Sequence, residues 1–365
     1  MAGENCYPCA SCGSELDWKP GQGTLECPYC GHTEENPDAS AMQAFVPTEH
    51  RMDQAALTAT RGWGTETQEF KCTTCGALSD VEPHVTATAC AFCGSDELNA
   101  QDSGDEVIRP ESLVPFSVER DQAIGDFKGW ISGLWFRPNA LKKMARLNQI
   151  QGAYLPCWTY DAQTRSHWTA EAGHYYYVTE TYTAQENGRS VQKTRQVRKT
   201  RWVPASGRHA KFFDDVLISA SAGLEQNLFE GLEPYDYEGL RSYDTQYLAG
   251  FIAERYQLSL GDGYTTAQGK MDSDIRSECK SMIPGDTSRN LQVHTHYSDV
   301  TFKHVLLPVW IAAYEYQQKV YRYLVNGQTG KTHGTAPYSW AKITAAVLAV
   351  ASAIGAIAAL AHYYG

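Results

Sequence analysis

Eight cysteines in the first quarter of this 365-residue chain fall into two quartets of identical spacing, Cys9-x2-Cys12-x14-Cys27-x2-Cys30 and Cys72-x2-Cys75-x14-Cys90-x2-Cys93. A Cys-x-x-Cys pair lets two thiolates converge on one ion, and two such pairs close a tetrahedral cage with Zn–S distances of about 2.3 Å. Gly13, Gly31, Gly76 and Gly94 each follow the second cysteine of a pair, where the chain must turn back and a residue free to take positive φ is favoured. Two Zn2+ ions are expected, each held by one quartet. Four thiolates leave no open coordination position, so such sites shape a fold rather than catalyse. Iron in the same cage is the alternative, because tetrahedral S4 suits either metal, but no flavin or nicotinamide fingerprint accompanies it. Cys6 could compete as a ligand, whereas Cys157 and Cys279 stand alone and read as small buried hydrophobes.

Other chemistry is sparse. VNGQTGKT (325–332) resembles the second half of a phosphate-binding loop, yet Val325 stands where G-x4-G-K-[ST] needs glycine, and Pro337 follows instead of a helix. A turn on Asn326-Gly327 is expected there. His294, His296 and His304 form a loose cluster with no third ligand assured. No G-x-S-x-G, H-E-x-x-H or paired catalytic carboxylates are present, so no enzymatic function is expected.

The elements that must position the cysteines are read from patterning. Two zinc ribbons, 1–36 and 66–98, are expected as beads joined by a linker, 37–65, with one short helix around Pro47 to Leu57. A connecting segment, 99–150, carries a helix from Ser117 to about Ile131 and another from Pro138 through Arg146. An α+β region rich in strands, 151–339, follows. Asn187-Gly188 between aromatic and β-branched runs marks one long antiparallel hairpin. Within the same region, Lys211 to Gly231 and Asp244 to Tyr256 have helical spacing, and a polar helix is expected from Gln268 to about Met282. Pro156-x-Trp158 is echoed by Pro308-x-Trp310, which suggests two related β units, packed face to face and split by a helical insertion.

Ile343 to Ala361 is nineteen residues without a charge, long enough at 1.5 Å per residue to cross a hydrocarbon core of about 30 Å. One C-terminal transmembrane helix, 340–362, is therefore expected; a buried soluble helix is the alternative. Lys342, Lys331 and Arg322 on its N-terminal side favour a cytoplasmic N-terminal region. Ala351, Gly355 and Ala359 would let two such helices approach and form a homo-oligomer. Met1 to Cys12 has neither a basic start nor an apolar run, so no signal peptide is expected, and the thiols belong in a reducing compartment.

Net charge is −11 overall, but residues 1–106 hold four Lys and Arg against eighteen Asp and Glu, a net −14, and the remainder carries +3. Each zinc with four thiolates adds about two negative charges, so the ribbon region should repel phosphate backbones. Gly188 to Lys211 is the reverse: eight basic residues and no acid. On a strand Lys193, Arg195, Lys199 and Arg201 share one face. That stripe could serve anionic lipid headgroups, the acidic ribbons of the same molecule, or nucleic acid.

Acidic CPYCG-type knuckles in tandem, followed by LVPF, GAYLPCW, LEPYD, YLAGFIAERY, LPVWIAAYEY, VNGQTGK and a closing apolar helix, resemble a bacterial family of zinc-ribbon membrane proteins over nearly the full length. Members are often labelled TFIIB-type zinc ribbon proteins or primosomal replication factor Y-like helicases. The ATPase motifs a helicase requires are missing here. The resemblance implies eight cysteine zinc ligands, no catalytic residue, and a single-pass membrane adaptor for SPFH-domain (flotillin-like) proteins in envelope stress. Replication-associated nucleic-acid binding is the alternative function.

Overall fold

The computed structural model describes residues 7–35, 47–54, 60–61, 68–81, 90, 92–101, 107–138, 150–186, 189–316 and 319–364. In chain order the N-terminal third holds β1 (Asp17–Lys19), β2 (Thr24–Glu26), β3 (Thr33–Glu35), β4 (His50–Arg51), β5 (Gln68–Cys72), β6 (Leu78–Val81), β7 (Leu98–Gln101), β8 (Ser112–Leu113) and α1 (Arg120–Gly133). There follow β9 (Gln151–Glu186), β10 (Arg189–Ser219), α2 (Gln226–Glu230), β11 (Arg241–Ser242), β12 (Ile252–Glu254) and α3 (Leu260–Ser281). The chain closes with β13 (Thr287–Tyr316), β14 (Lys319–Asn326), β15 (Thr332–Gly334) and α4 (Trp340–Tyr364). The architecture is mixed α and β around one large sheet, which forms no closed barrel among the described residues.

Two very long strands, β9 and β13, pair antiparallel at its centre. Burial changes along β9 in three stages. From Gly152 to Ala162 both faces are buried; from Gln163 to Ala170 only alternate residues are; beyond Gly173 most side chains are exposed. The aromatic and β-branched composition read as strand is thus met by three environments on one continuous strand. As the Asn187-Gly188 signal anticipates, β9 pairs with β10 from Glu186↔Arg189 back to Cys157↔Ser219.

The Pro-x-Trp echo is structural, but the two units lie side by side rather than face to face. The echoing positions are 152 residues apart, and Leu155 pairs with Leu307, the residue 152 positions on, so the two copies meet about a local two-fold axis. Short parallel strands complete the symmetry: β12 pairs with β9 at Ala153 and Tyr154, and β8 with β13 at the equivalent Val305 and Leu306. Each tryptophan is capped from the other half of the chain. Trp158 donates its indole N–H to the Leu258 carbonyl and Trp310 to the Val118 carbonyl, both at 2.9 Å and both two residues before a helix. The helices follow the same rule. α3 covers Trp158 and Tyr160 through Ala267, Met271 and Ile275, and α1 packs on β14 through Phe127, stacked 3.6 Å from Tyr323, in the cluster that contains Trp310.

Several expectations are corrected. Lys211 to Ser219 continues β10, and only Gln226–Glu230 is helical in that segment. Leu217, Leu224 and Leu228 still share one cluster, because a strand end and a short helix meet over the odd-numbered face of β9. Asp244 to Tyr256 forms a 3-10 turn, Thr245–Leu248, and then β12. The polar helix begins earlier than expected, at Leu260, where the Ser259 hydroxyl accepts the Asp262 N–H. The helix expected from Ser117 spans Arg120–Gly133, and the one expected from Pro138 lies outside the described residues. The segment between the quartets is more than a linker and has a 3-10 turn, Met52–Gln54, where a short helix was expected. β4 pairs with Thr301 and Phe302 of β13. Beside it Glu49 reaches the ammonium of Lys303, which also meets Asp215 at 2.7 Å and Asp161 at 3.7 Å between two strand irregularities. Burial pushes the Asp161 carboxyl up to about 6. Burial opposes the Lys303 charge, but Asp215, Asp161 and Glu49 outweigh it and raise its pKa.

His304 lies buried between Trp158 and Tyr256, with Nδ1–H donated to the Ile108 carbonyl at 2.9 Å. Burial holds its pKa down at about 4. The unfolded chain, with an ordinary value near 6.5, takes up this proton first, so the His304 contribution is present above pH ~6.5 and lost as pH falls through about 4. Glu254, raised by burial to about 8, acts with the opposite sign, losing its contribution as pH rises from about 4.5 to 8. Because Glu254 offsets the His304 contribution in the wild type, the expected result is a difference: in chemical denaturation between pH about 6.5 and 4, His304→Gln should lose less stability on acidification than the wild type, by up to ~3 kcal/mol. An unchanged acid slope in that variant would refute the assignment.

Candidate metal centres

The same backbone device is used four times. In each Cys-x-x-Cys-Gly turn the glycine N–H donates to the carbonyl of the first cysteine at 2.8–2.9 Å, and that cysteine's N–H donates to the carbonyl two positions after the second cysteine. Gly13, Gly31, Gly76 and Gly94 take φ of 74°, 72°, 81° and 74°. No neighbouring atom would meet a Cβ at any of them, so the backbone angle alone is what favours glycine.

These turns bring the predicted ligands together. Cys9, Cys12, Cys27 and Cys30 form one group and Cys72, Cys75, Cys90 and Cys93 the other, with all sulfurs of a group within 4.8 Å of one another. Cross-turn pairs are tighter: Cys9–Cys30 3.5 Å, Cys12–Cys27 3.5 Å, Cys72–Cys93 3.6 Å and Cys75–Cys90 3.7 Å. A tetrahedron with arms of 2.3 Å has edges of about 3.8 Å, whereas a disulfide would need about 2.05 Å. The eight cysteines are accordingly free thiols spaced for a metal. The donor set points the same way. Burial first, with neighbouring Cys75 and Cys72, pushes Cys93 up to about 12, and the contact with Cys90 drives Cys75 higher still. Burial and crowding thus favour the protonated forms of Cys75 and Cys93, and a bound cation would reverse that balance.

Neither centre is a tethered bead. In the first, buried Cys9 and Cys27 join Leu16, Trp18 and Leu25 in one cluster with Tyr247, Ala249 and Trp310. Trp18 donates its backbone N–H to Ala249 at 3.1 Å and sets its ring 4.6 Å from that of Tyr247. In the second, β5, β6 and β7 are strands of the large sheet, and β6 pairs with β12. The Arg255 guanidinium meets Glu69 at 3.2 Å, both nearly buried. Cys72, Cys90 and Phe92 belong to the core that contains Leu155 and Leu307.

The other sequence candidates do not converge. Among the described residues the two cysteine quartets are the groups spaced for a metal, and neither includes His294, His296 or His304. Cys157 and Cys279 are buried in separate clusters, and Cys6 lies outside the described residues. The 325–332 loop is a turn, as expected: the Asn326 side-chain oxygen accepts the N–H groups of Gln328 and Thr329, and its amide donates to Leu232 at 3.1 Å. Sequence reasoning missed the Lys303 cluster, because a single lysine in a strand carries no signal of what crosses it. It also missed a collar of exposed aromatics at the foot of α4: Trp135, Phe136, Tyr338 and Trp340. Two of these precede α4 by some two hundred residues, and only the fold brings them near.

The uncharacterized protein YdjG of Bacillus subtilis (strain 168) is 30% identical to this chain over 246 residues, 65% of this chain and 67% of that protein. No family model matches the chain, and no solved structure does.

Because the first centre shares its core with Trp18, Cys9→Ser with Cys27→Ser should cost more than one metal equivalent. Elemental analysis is expected to fall from two ions per chain to one, with a red shift in tryptophan emission and a lower Tm. Metal loss with unchanged emission and Tm would mean that the centre is decoupled from the core.

Proposed function

We propose that this chain, which belongs to the same family as YdjG, is a membrane-anchored adaptor without enzymatic activity. Two zinc-clamped centres brace a docking head for a cytosolic protein, an SPFH-domain protein by the resemblance of the sequence motifs. The observation that carries this reading is α4. Its apolar side chains, among them Leu348, Ile354 and Ile357, are exposed along its length, and the span from Trp340 is long and apolar enough to cross a membrane. A helix buried in a soluble core would have covered them.

The foot supports the same reading. Ser339 donates its backbone N–H to Phe136, and the Lys342 ammonium reaches the carbonyls of Trp135 and Arg137 at 3.2 and 2.9 Å. The Arg137 guanidinium lies 3.7 Å over the Tyr338 ring. Exposed Trp135 and Trp340 beside these cations have the composition of a membrane interface. Arg137 and Lys342 at the N-terminal end of the span support a cytoplasmic head by the positive-inside rule. Tyr29, between two cysteines of the first centre and 83% exposed, presents an aromatic anchor.

Detergent-solubilised membranes should yield the full chain with two zinc equivalents and a co-purifying SPFH-domain protein, and a chain ending at Tyr338 should be soluble. Tyr29→Ala is expected to reduce capture at least about fivefold with zinc content unchanged. A truncated chain that stays membrane-bound would overturn the anchor. Nuclease-sensitive capture of nucleic acid in place of protein would overturn the adaptor.

A further inference from the structure

Beyond Gly173, which pairs with Thr287, β9 loses its neighbour β13. It continues with β10 alone, so residues 174–186 and 189–201 form a two-stranded ribbon projecting roughly 40 Å from the body at 3.3 Å per residue. An isolated hairpin of this kind buries little and is marginal by itself. Its faces differ. One bears Tyr175, Tyr177, threonines and glutamines with Arg198 stacked 4.2 Å from Tyr175. The other bears Lys193, Arg195, Lys199 and Arg201, with Tyr176, Tyr182, Val178 and Val197 between them. Glu180 on that face meets Arg195 at 3.5 Å and Lys199 at 3.1 Å, one carboxylate for two cations.

Among the described residues, the acids of the two cysteine centres, such as Asp17, Glu26, Asp96 and Glu97, lie toward the opposite end. Both cysteine centres pack where β9 begins, and β12, which carries the second centre, pairs with Ala153. From Ala153 to His174 is about 70 Å of strand contour. A contact between the cationic ribbon and the described cysteine centres of its own chain is therefore excluded by strand length. The membrane foot is tied to residues 135–137, just after α1, and α1 packs against β14 at the head end of the sheet, so lipid around α4 does not lie beside the ribbon either.

We infer that the cationic face of the 174–201 ribbon docks onto the acidic, cysteine-rich head of a second copy of this chain. The complementary charge exists in every copy at equal number, a net −14 over residues 1–106. Exposed Asp96 and Glu97 lie beside the second centre. Valines and tyrosines between the cations fit a protein surface, while the central Glu180 would stand against a phosphate backbone. Joining one end of a copy to the other end of the next is a heterologous contact, which propagates into rings or filaments rather than stopping at a dimer. This inference is independent of which partner the head captures, and its test reads self-association alone.

The test is sedimentation of the full-length protein in detergent micelles, together with carbodiimide cross-linking of mixed isotopically light and heavy copies. At about 50 mM salt the protein should form a concentration-dependent series that weakens at least tenfold at about 500 mM, where screening shortens to a few ångströms. The fourfold variant K193E/R195E/K199E/R201E should lose that association by a similar factor with metal content unchanged. Cross-links should join Lys193 or Lys199 of one copy to carboxylates within residues 1–106 of another. If the fourfold variant does not fold, Lys193→Gln with Arg201→Gln carries the same comparison. Association indifferent to salt or to the variants, as contact through α4 would give, overturns the proposal. So does a monomer at low salt, whether or not its ribbon binds an oligonucleotide or anionic vesicles.

Discussion

The antiparallel pairing of β9 with β13 about Leu155 and Leu307 is the constraint from which the rest of the body follows. Two strands buried on both faces from Gly152 to Ala162 and from Phe302 to Ala312 cannot face water on either side there, so each face needs its own cover. On the even-numbered face the cover is exchanged: the helix of the first half packs on the second half at Tyr323, in the cluster of Trp310, and the helix of the second lies over Trp158. The two indole hydrogen bonds, to Val118 and Leu258, tie each cover to its strand. Neither half could bury its own Pro-x-Trp strand with its own helix, which makes the repeat an interdependent pair rather than two modules.

The cysteine centres solve a related problem beside the start of β9. A segment with strands of three to five residues, such as β1 to β3 or β5 to β7, is too small to hold a core by hydrophobic burial alone, and four metal–sulfur bonds at each quartet would replace that missing core. The buried half of each centre faces the body. Cys9 and Cys27 extend the cluster around Trp310, and Cys72 and Cys90 that around Leu155. Metal affinity is thereby linked to the main fold, since any free energy gained by the thiolates on binding is also gained by the strands they anchor.

What the sequence made legible was local chemistry. Cys-x-x-Cys-Gly fixes a turn from six or so consecutive residues, Asn187-Gly188 fixes a hairpin from two, and a charge-free run of nineteen residues marks a span of membrane length. What failed depended on distant partners. Leu217, Leu224 and Leu228 have helical spacing because they meet one surface, but the surface is offered by β9, and Leu217 reaches it as the end of a strand. YLAGFIAERY similarly has the apolar content of a helix, and the open edge of β9 beside Ala153 recruits its middle as β12. Face-to-face packing was wrongly inferred from the echo for the same reason: a repeat in sequence does not say whether its copies meet through their faces or their edges.

Charge on this molecule is separated along a mechanical axis. With a Debye length of about 8 Å at physiological ionic strength, regions roughly 70 Å apart along a strand do not sense one another's fields. The acidic head and the cationic ribbon therefore act as two independent surfaces on one rigid element, each set by its own counterions. Rigidity matters because β9 is hydrogen-bonded on at least one side throughout its length, so thermal bending cannot bring its ends together. A flexible tether with the same charges would fold back and neutralise itself within one chain. A strand that cannot fold back leaves both charges exposed to other molecules, and this converts a long hairpin from a stability liability into a means of holding two surfaces apart.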